Sequence, residues 1–405
     1  MTLRGAWCAF GPRERVRASV KIITGRVAAV LDDPESTGSA RTEGSAIDLS
    51  GFLIMPGLVN AHDHLQFALF PQLADPPYQN YIDWGTDIHD KFRDVIAKHR
   101  AVPKSVRLWW GGIRNLLCGV TTVCHHDTLW PELKRGDFPI RVVQKYGWGH
   151  SLALGGDLRE ARSLTPDGGA FILHACEGVD ERAYGELAGL DRLGLLGERT
   201  VLVHGLAMDE VGVALVRERR VSLIVCPSSN QFLFQRLPDM GLLGTIEKVA
   251  LGNDSPLTAK GDLLDEVRFA TGCCGIESDV VYHMVTESPA AVLRLEEQEG
   301  SITVSGVGDV IAVRDTGQVG AVRLAGLSMH HVELVMVGGC VQLASETIME
   351  RLPKAAVQGL EPLCIEGTIR WLRAPITELL QNAEQVLGKG EVRLGGRPVR
   401  TSILS

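Results

Sequence analysis

The stretch 56–66, PGLVNAHDHLQ, sets two imidazoles and a carboxylate directly after a small apolar run. Side chains alternate along a strand, so His62 and His64 share one side and Asp63 takes the other. Two neutral imidazoles with a common direction can grip one metal ion, if other elements bring the remaining ligands. Asp63, turned away, is expected to anchor backbone or a neighbouring helix. Other apolar runs also end in polar groups: GVTTVCHH in His125 and His126, ILHACEG in His174 and Glu177, VLVHG in His204, CPSSN in Asn230 and VALGND in Asp254. Each is costly to leave at such a place unless it is paired or bound to metal. His174 and Glu177, three apart, cannot both face inward along a regular strand. Glu177 is therefore expected just past its strand, where the chain curls over the mouth.

The elements that must position these groups alternate. GFLIMPGLVNAH, GVTTVCHH, PIRVVQKYGW, AFILHACEG, TVLVHGLAMD, VSLIVCPSSN and IEKVALGND read as strands. KSVRLWWGGIRNLL, DERAYGELAGLDRLGLL and MDEVGVALVRERR read as helices between them. Such alternation predicts an α/β fold with a parallel sheet, and this many units a (β/α)8 TIM-like barrel. In such barrels the chemistry sits at the C-terminal ends of strands, where the polar residues fall. The interval from His150 to Glu177 is too short for a full extra unit, so one βα unit near 148–168 is expected to be abbreviated. Short strand-like pieces at both ends, SVKIITG and RVAAVLD, then DVIAVRD and HVELVMVGGCVQL, predict a small β-sandwich domain built from both termini. The expected organisation is residues 1–55 and 301–405 for that domain, the latter with a helical tail (APITELLQNAEQVLG), and 56–300 for the barrel. A polar stretch from Pro34 to Gly44 reads as a break between strands.

The 405 residues carry a net charge of −8, which argues against nucleic acid or an anionic membrane as partner. No run of about 18 apolar residues occurs, and the first 20 residues lack a signal-peptide core. The nine cysteines are scattered without a Cys-x-x-Cys, which suits reduced thiols in a cytoplasmic protein.

Taken in order, DLSGFLIMPGLVNAHDHL, GVTTV, HACE, VHG, CPSSN and GNDSPLT, followed by VTESPAAVLRL and GSITVSGVGDVIAVRD, resemble the amidohydrolase superfamily. The likeness is to its branch of cytosine deaminases, adenosine deaminase-like enzymes and triazine hydrolases, and it spans nearly the whole chain. It implies that His62, His64, His174 and Asp254 bind one divalent metal, and that Glu177 shuttles protons. It also implies that His204 lies beside the activated water, where it and Asp254 orient the attack. Three imidazoles and a carboxylate suit Zn2+, and would also hold Fe2+. A metal so bound lowers the pKa of its water to about 7. The activity implied is hydrolysis of a non-peptide C–N bond, foremost deamination of a small N-heterocycle. The alternatives are hydrolysis of a cyclic amide, loss of another leaving group on the same scaffold, or a homologue that binds metal and ligand without turnover. Other amidohydrolases bridge two metals with a carbamylated lysine; Lys145 is expected instead to be a solvated or salt-bridged strand-end residue.

Between residues 67 and 84 lie Phe67, Phe70, Tyr78, Tyr81 and Trp84, stiffened by Pro71, Pro76 and Pro77. Rings so gathered over a barrel mouth can stack on a planar substrate, or simply pack the loop down. Trp84 and Tyr81 are the candidate substrate contacts here, with His126 at its strand end and Asn230, which matches a position near the site in the family. The expected partner is a small-molecule substrate, and a homodimer is the expected assembly if the chain self-associates.

Overall fold

The computed structural model describes residues 1–32 and 45–400. The stretch from Pro34 to Gly44 lies outside the described residues.

Both termini meet in one sheet. The strands Thr2–Arg4, Trp7–Cys8, Val16–Ile23, Arg26–Asp32, Ala46–Asp48 and Phe52–Pro56 join strands from Val310–Arg314 onward in a 13-stranded sheet. The joint is Phe52–Pro56, which pairs parallel with Trp7–Cys8 and antiparallel with Val310–Arg314. Alternation explains its inner face: in VRASVKII, Ala18, Val20 and Ile22 are buried while their neighbours face out. These side chains pack with Ile54, Leu334 and Met336 in a core of their own.

The middle of the chain is parallel. Leu58–Asp63, Val120–His125 and Arg141–Val142 form a three-stranded sheet; Tyr146–Trp148, Ala170–Ala175, Thr200–His204, Ser222–Val225 and Val249–Leu251 form a five-stranded one. A parallel bridge between Asp63 and Asp254 links the outer edges of the two sheets, and the Asp254 amide donates to the His62 carbonyl at 3.1 Å. Gly252 permits that approach, because a Cβ there would lie 2.6 Å from the Cβ of His62. Helices fill the connections, and several start on an aspartate whose carboxylate accepts backbone N–H groups: Asp157, Asp180, Asp209 and Asp262.

One expected strand differs. PIRVVQKYGW is two strands, Arg141–Val142 and Tyr146–Trp148, with only Val143, Gln144 and Lys145 between them and no helix. The shortest connection therefore lies at 143–145, ahead of the expected position. The stretch 148–168 carries a six-residue helix, Leu158–Ser163. Two strands of two and three residues leave no periodic break to read.

The helix Lys104–Leu117 packs against the turn after His64. Gly111 makes this close, since a Cβ would meet the Leu65 carbonyl oxygen at 2.5 Å, and Arg107 donates to the Gln66 carbonyl at 2.8 Å. The C-terminal helix Ile376–Leu387 lies against the same helix, with the Trp110 indole donating to Leu379 at 3.4 Å. Among the described residues no helix is long and apolar enough to cross a membrane, and the nine cysteines are all free.

Candidate metal centre and active site

Four strand ends converge on one cluster. His62 lies with its Nε2 3.3 Å from Nε2 of His174, and its ring stands edge-on to those of His64 and His174 at 5.0 Å. Nε2 of His62 and of His64 each lie 3.6 Å from Oδ1 of Asp254. Two overlapping groups, His62–His174–His204 and His62–His64–Asp254, have donor atoms within 4.8 Å of one another and could hold a metal ion. The second oxygen of Asp254 is already used: Ser229 and Thr258 hydroxyls each donate to Oδ2 at 2.9 Å, which leaves Oδ1 for the imidazoles. Nδ1 of His174 donates to the His150 carbonyl at 2.9 Å, so Nε2 keeps its lone pair toward the cluster.

Burial sets the protonation states. It pushes the His64 imidazole down to about 3, with the charge of His62 adding to the effect. Burial and the neighbouring imidazoles His126 and His150 likewise hold His174 well below its ordinary value. Neutral rings are the ligating form. Burial alone would raise Asp254, but the hydrogen bond from His62 and the electrostatic influence of the imidazoles of His64, His62 and His204 outweigh it and hold the carboxyl below its usual range.

Glu177 sits past its strand, where backbone strain redirects the chain. Cys176 adopts a left-handed φ of 55°, as do His204 (76°) and Asp254 (52°), three non-glycine residues in that region beside one cluster. Cys176 itself is buried in the hydrophobic core, and its N–H donates to Glu186 at 2.7 Å. Glu177 Oε2 lies 3.6 Å from Nε2 of His204. Burial, then the charges of Asp254 and Glu186, raise its carboxyl well above the ordinary range. His204 is fixed from behind: its Nδ1 donates to the Asn230 carbonyl oxygen at 3.0 Å. Burial brings that imidazole down to about 4.

A cavity of about 210 Å³ opens from this cluster, with His64, His174, Glu177, His204 and Asp254 at one end. Tyr81 and Trp84 line it, as do Phe67 and Phe70. Both candidate contacts are also anchored: the Tyr81 hydroxyl donates to Glu186 at 2.7 Å and the Trp84 indole to the Leu73 carbonyl at 2.9 Å. The Tyr81 amide donates to the Glu177 carbonyl at 3.2 Å, tying this segment to the Glu177 turn. His126 and Asn230 lie beside the cluster but do not line the cavity. His126 is buried and stacked behind His174 at 4.3 Å, and Asn230 is buried behind His204. Lys145 is exposed and paired with Glu296 at 3.2 Å. The helices Tyr81–Lys91 and Arg93–Arg100 add Ile88, Ile96 and Arg100 to the cavity, and His150 adds its ring.

The sequence profile of the Amidohydrolase family matches residues 167–342. The 5-methylthioadenosine/S-adenosylhomocysteine deaminase of Natronomonas pharaonis is 27% identical over 61% of this chain and 69% of its own length. The 5'-deoxyadenosine deaminase of Methanospirillum hungatei is 27% identical over 59% and 64%. Among solved structures, an adenosine deaminase from Xanthomonas campestris with bound zinc superposes with a TM-score of 0.68 at 19% identity, covering 95% of this chain and 97% of its own. The zinc complex of atrazine chlorohydrolase from Arthrobacter aurescens gives 0.70 at 16%, covering 95% and 99%. These two share the fold.

Proposed function

The chain belongs to the amidohydrolase family, and from that premise we propose that it is a metal-dependent deaminase of small amino-substituted N-heterocycles. It is a hydrolase of C–N bonds other than peptide bonds. The observation that carries the finer reading is the buried Glu177, 3.6 Å from His204 and lining one cavity with the His/Asp cluster.

The cluster fits a divalent ion. Its donors are three imidazoles, His62, His64 and His174, and the one carboxylate oxygen of Asp254 not used by hydroxyls. That set suits Zn2+ above other ions. Once bound, such an ion supplies a water with a pKa of about 7. Asp254 and His204 would orient that water for attack. Glu177 would pass one of the water's two protons to the ring nitrogen and the other to the leaving amine, and so end in the state in which it began. A C–O bond forms at the sp2 carbon, the C–N bond breaks, and ammonia leaves. Asn230 holds His204 in one tautomer by accepting from Nδ1.

The same reading takes the eight parallel strands as a (β/α)8 barrel over residues 56–300, with residues 1–55 and 301–405 as a small β domain. Uniform parallel pairing, the Asp63–Asp254 bridge and the two TM-scores near 0.7 support it. A panel of heterocyclic amines tests the function: ammonia should be released with metal present and lost on chelation. Release of chloride or ring opening in place of ammonia would favour another leaving group.

A further inference from the structure

We propose that the outer part of the cavity is a subsite for an apolar substituent, so that the substrate is an amino-heterocycle bearing an alkyl or aryl arm rather than a nucleoside. This rests on the deaminase reading and names its substrate class. Away from the metal cluster the wall is built by Phe70, Leu73, Trp84, Ile88, Ile96 and Leu257. Several polar atoms of the lining are spent on the protein itself, and the others are the second ring nitrogens of His89 and His150 and the Ser255 hydroxyl. The Trp84 indole donates to Leu73, the Tyr81 hydroxyl to Glu186, and Nδ1 of His89 lies 2.7 Å from the Gly85 carbonyl.

Sugar recognition needs the opposite. Ribose hydroxyls are held by carboxylates or amides, and hydroxyls entering an apolar chamber leave water without replacement partners. The carboxylates among the lining residues are Glu177 and Asp254, both at the metal end and both engaged in the chemistry proposed. The remaining cation, Arg100, is exposed at the rim. The chamber is continuous with the acid–base centre, so a ring presented to Glu177 sends its substituent outward along this wall.

The test separates the subsite from the reaction by using rings that lack the amino group and cannot be deaminated. Calorimetry with the Zn2+-loaded protein compares purine, 9-butylpurine and purine riboside, and in parallel a triazine with and without a butyl arm. The butyl arm should tighten binding about tenfold or more over the bare ring and over the riboside. Ile96→Asn should cut that gain several-fold at unchanged metal content. A riboside that binds as well as or better than the butyl compound, or no gain from the arm in either ring series, overturns the subsite. Ammonia release from the amino counterparts is read separately. Its absence alongside a clear butyl gain would count against the deaminase reading and leave the apolar subsite standing.

Discussion

Behind His62 and His64 the protein is polar and closed, while in front of them it is apolar and open. Behind the strand, Asp63 accepts from Asn115 at 2.6 Å and from Arg114 at 3.0 Å, and Arg114 also donates to the Asp254 carbonyl at 3.2 Å. Asn60 donates to Asn115 and to Asn253 at 2.9 and 2.6 Å. All five side chains are buried. In front stand Phe70, Ile88, Ile96 and Leu257, which touch one another and fix no direction. The contrast separates two tasks. Directional bonds in a dry interior hold the strand of His62 and His64 and Asp254 in one register. Apolar surface accepts a ligand by area and shape, which tolerates change in small steps.

The two regions should therefore fail differently when cut. The largest effect is expected at the cluster they share: His62→Ala/His64→Ala should bind no metal by elemental analysis and show no ammonia release above background. Metal at full occupancy in that variant would remove the cluster from the account. Next comes Glu177→Gln, which keeps the shape and loses the transferable proton. It should hold its metal and lose on the order of 10²–10⁴-fold in kcat. Loss of the ion instead would make Glu177 a ligand.

A cut in the polar region should rank third. Arg114→Met leaves Asp63 buried without its counter-ion, at a cost of about 3–5 kcal/mol in stability by chemical denaturation. It should also weaken metal affinity on the order of 10–100-fold, the size seen when groups supporting a ligand are removed. Arg114→Lys should recover part of the affinity. A variant with lower stability and unchanged metal affinity would make the network structural only. Smallest is the apolar side. Trp84→Leu keeps bulk and removes the flat ring, so KM should rise several-fold while kcat and metal content change little. If the melting temperature falls and KM stays, Trp84 packs the segment and touches no substrate.

This division also explains what could be read without coordinates. The cluster was legible because strand alternation puts His62 and His64 on one face, and because a costly group closes each apolar run. The anchoring of Asp63 on a neighbouring helix followed from the same alternation, and Arg114 and Asn115 on Lys104–Leu117 supply it. Other features carried no such signal. Arg141–Val142 and Tyr146–Trp148 are too short for a period, so they merged into one expected strand. His126 ends its strand beside the cluster, yet it stacks behind His174, and alternation alone cannot rank depth. Ile88, Ile96 and Leu257 come from two helices and a later loop, and only tertiary packing brings them to one wall.

The central claim, that one divalent ion on His62, His64, His174 and Asp254 drives hydrolysis, is tested most directly by titrating Zn2+ into metal-free protein. Ammonia release from a turned-over amine should rise linearly and level off at one equivalent per chain. A break at two equivalents, or full activity in the metal-free protein, would contradict it.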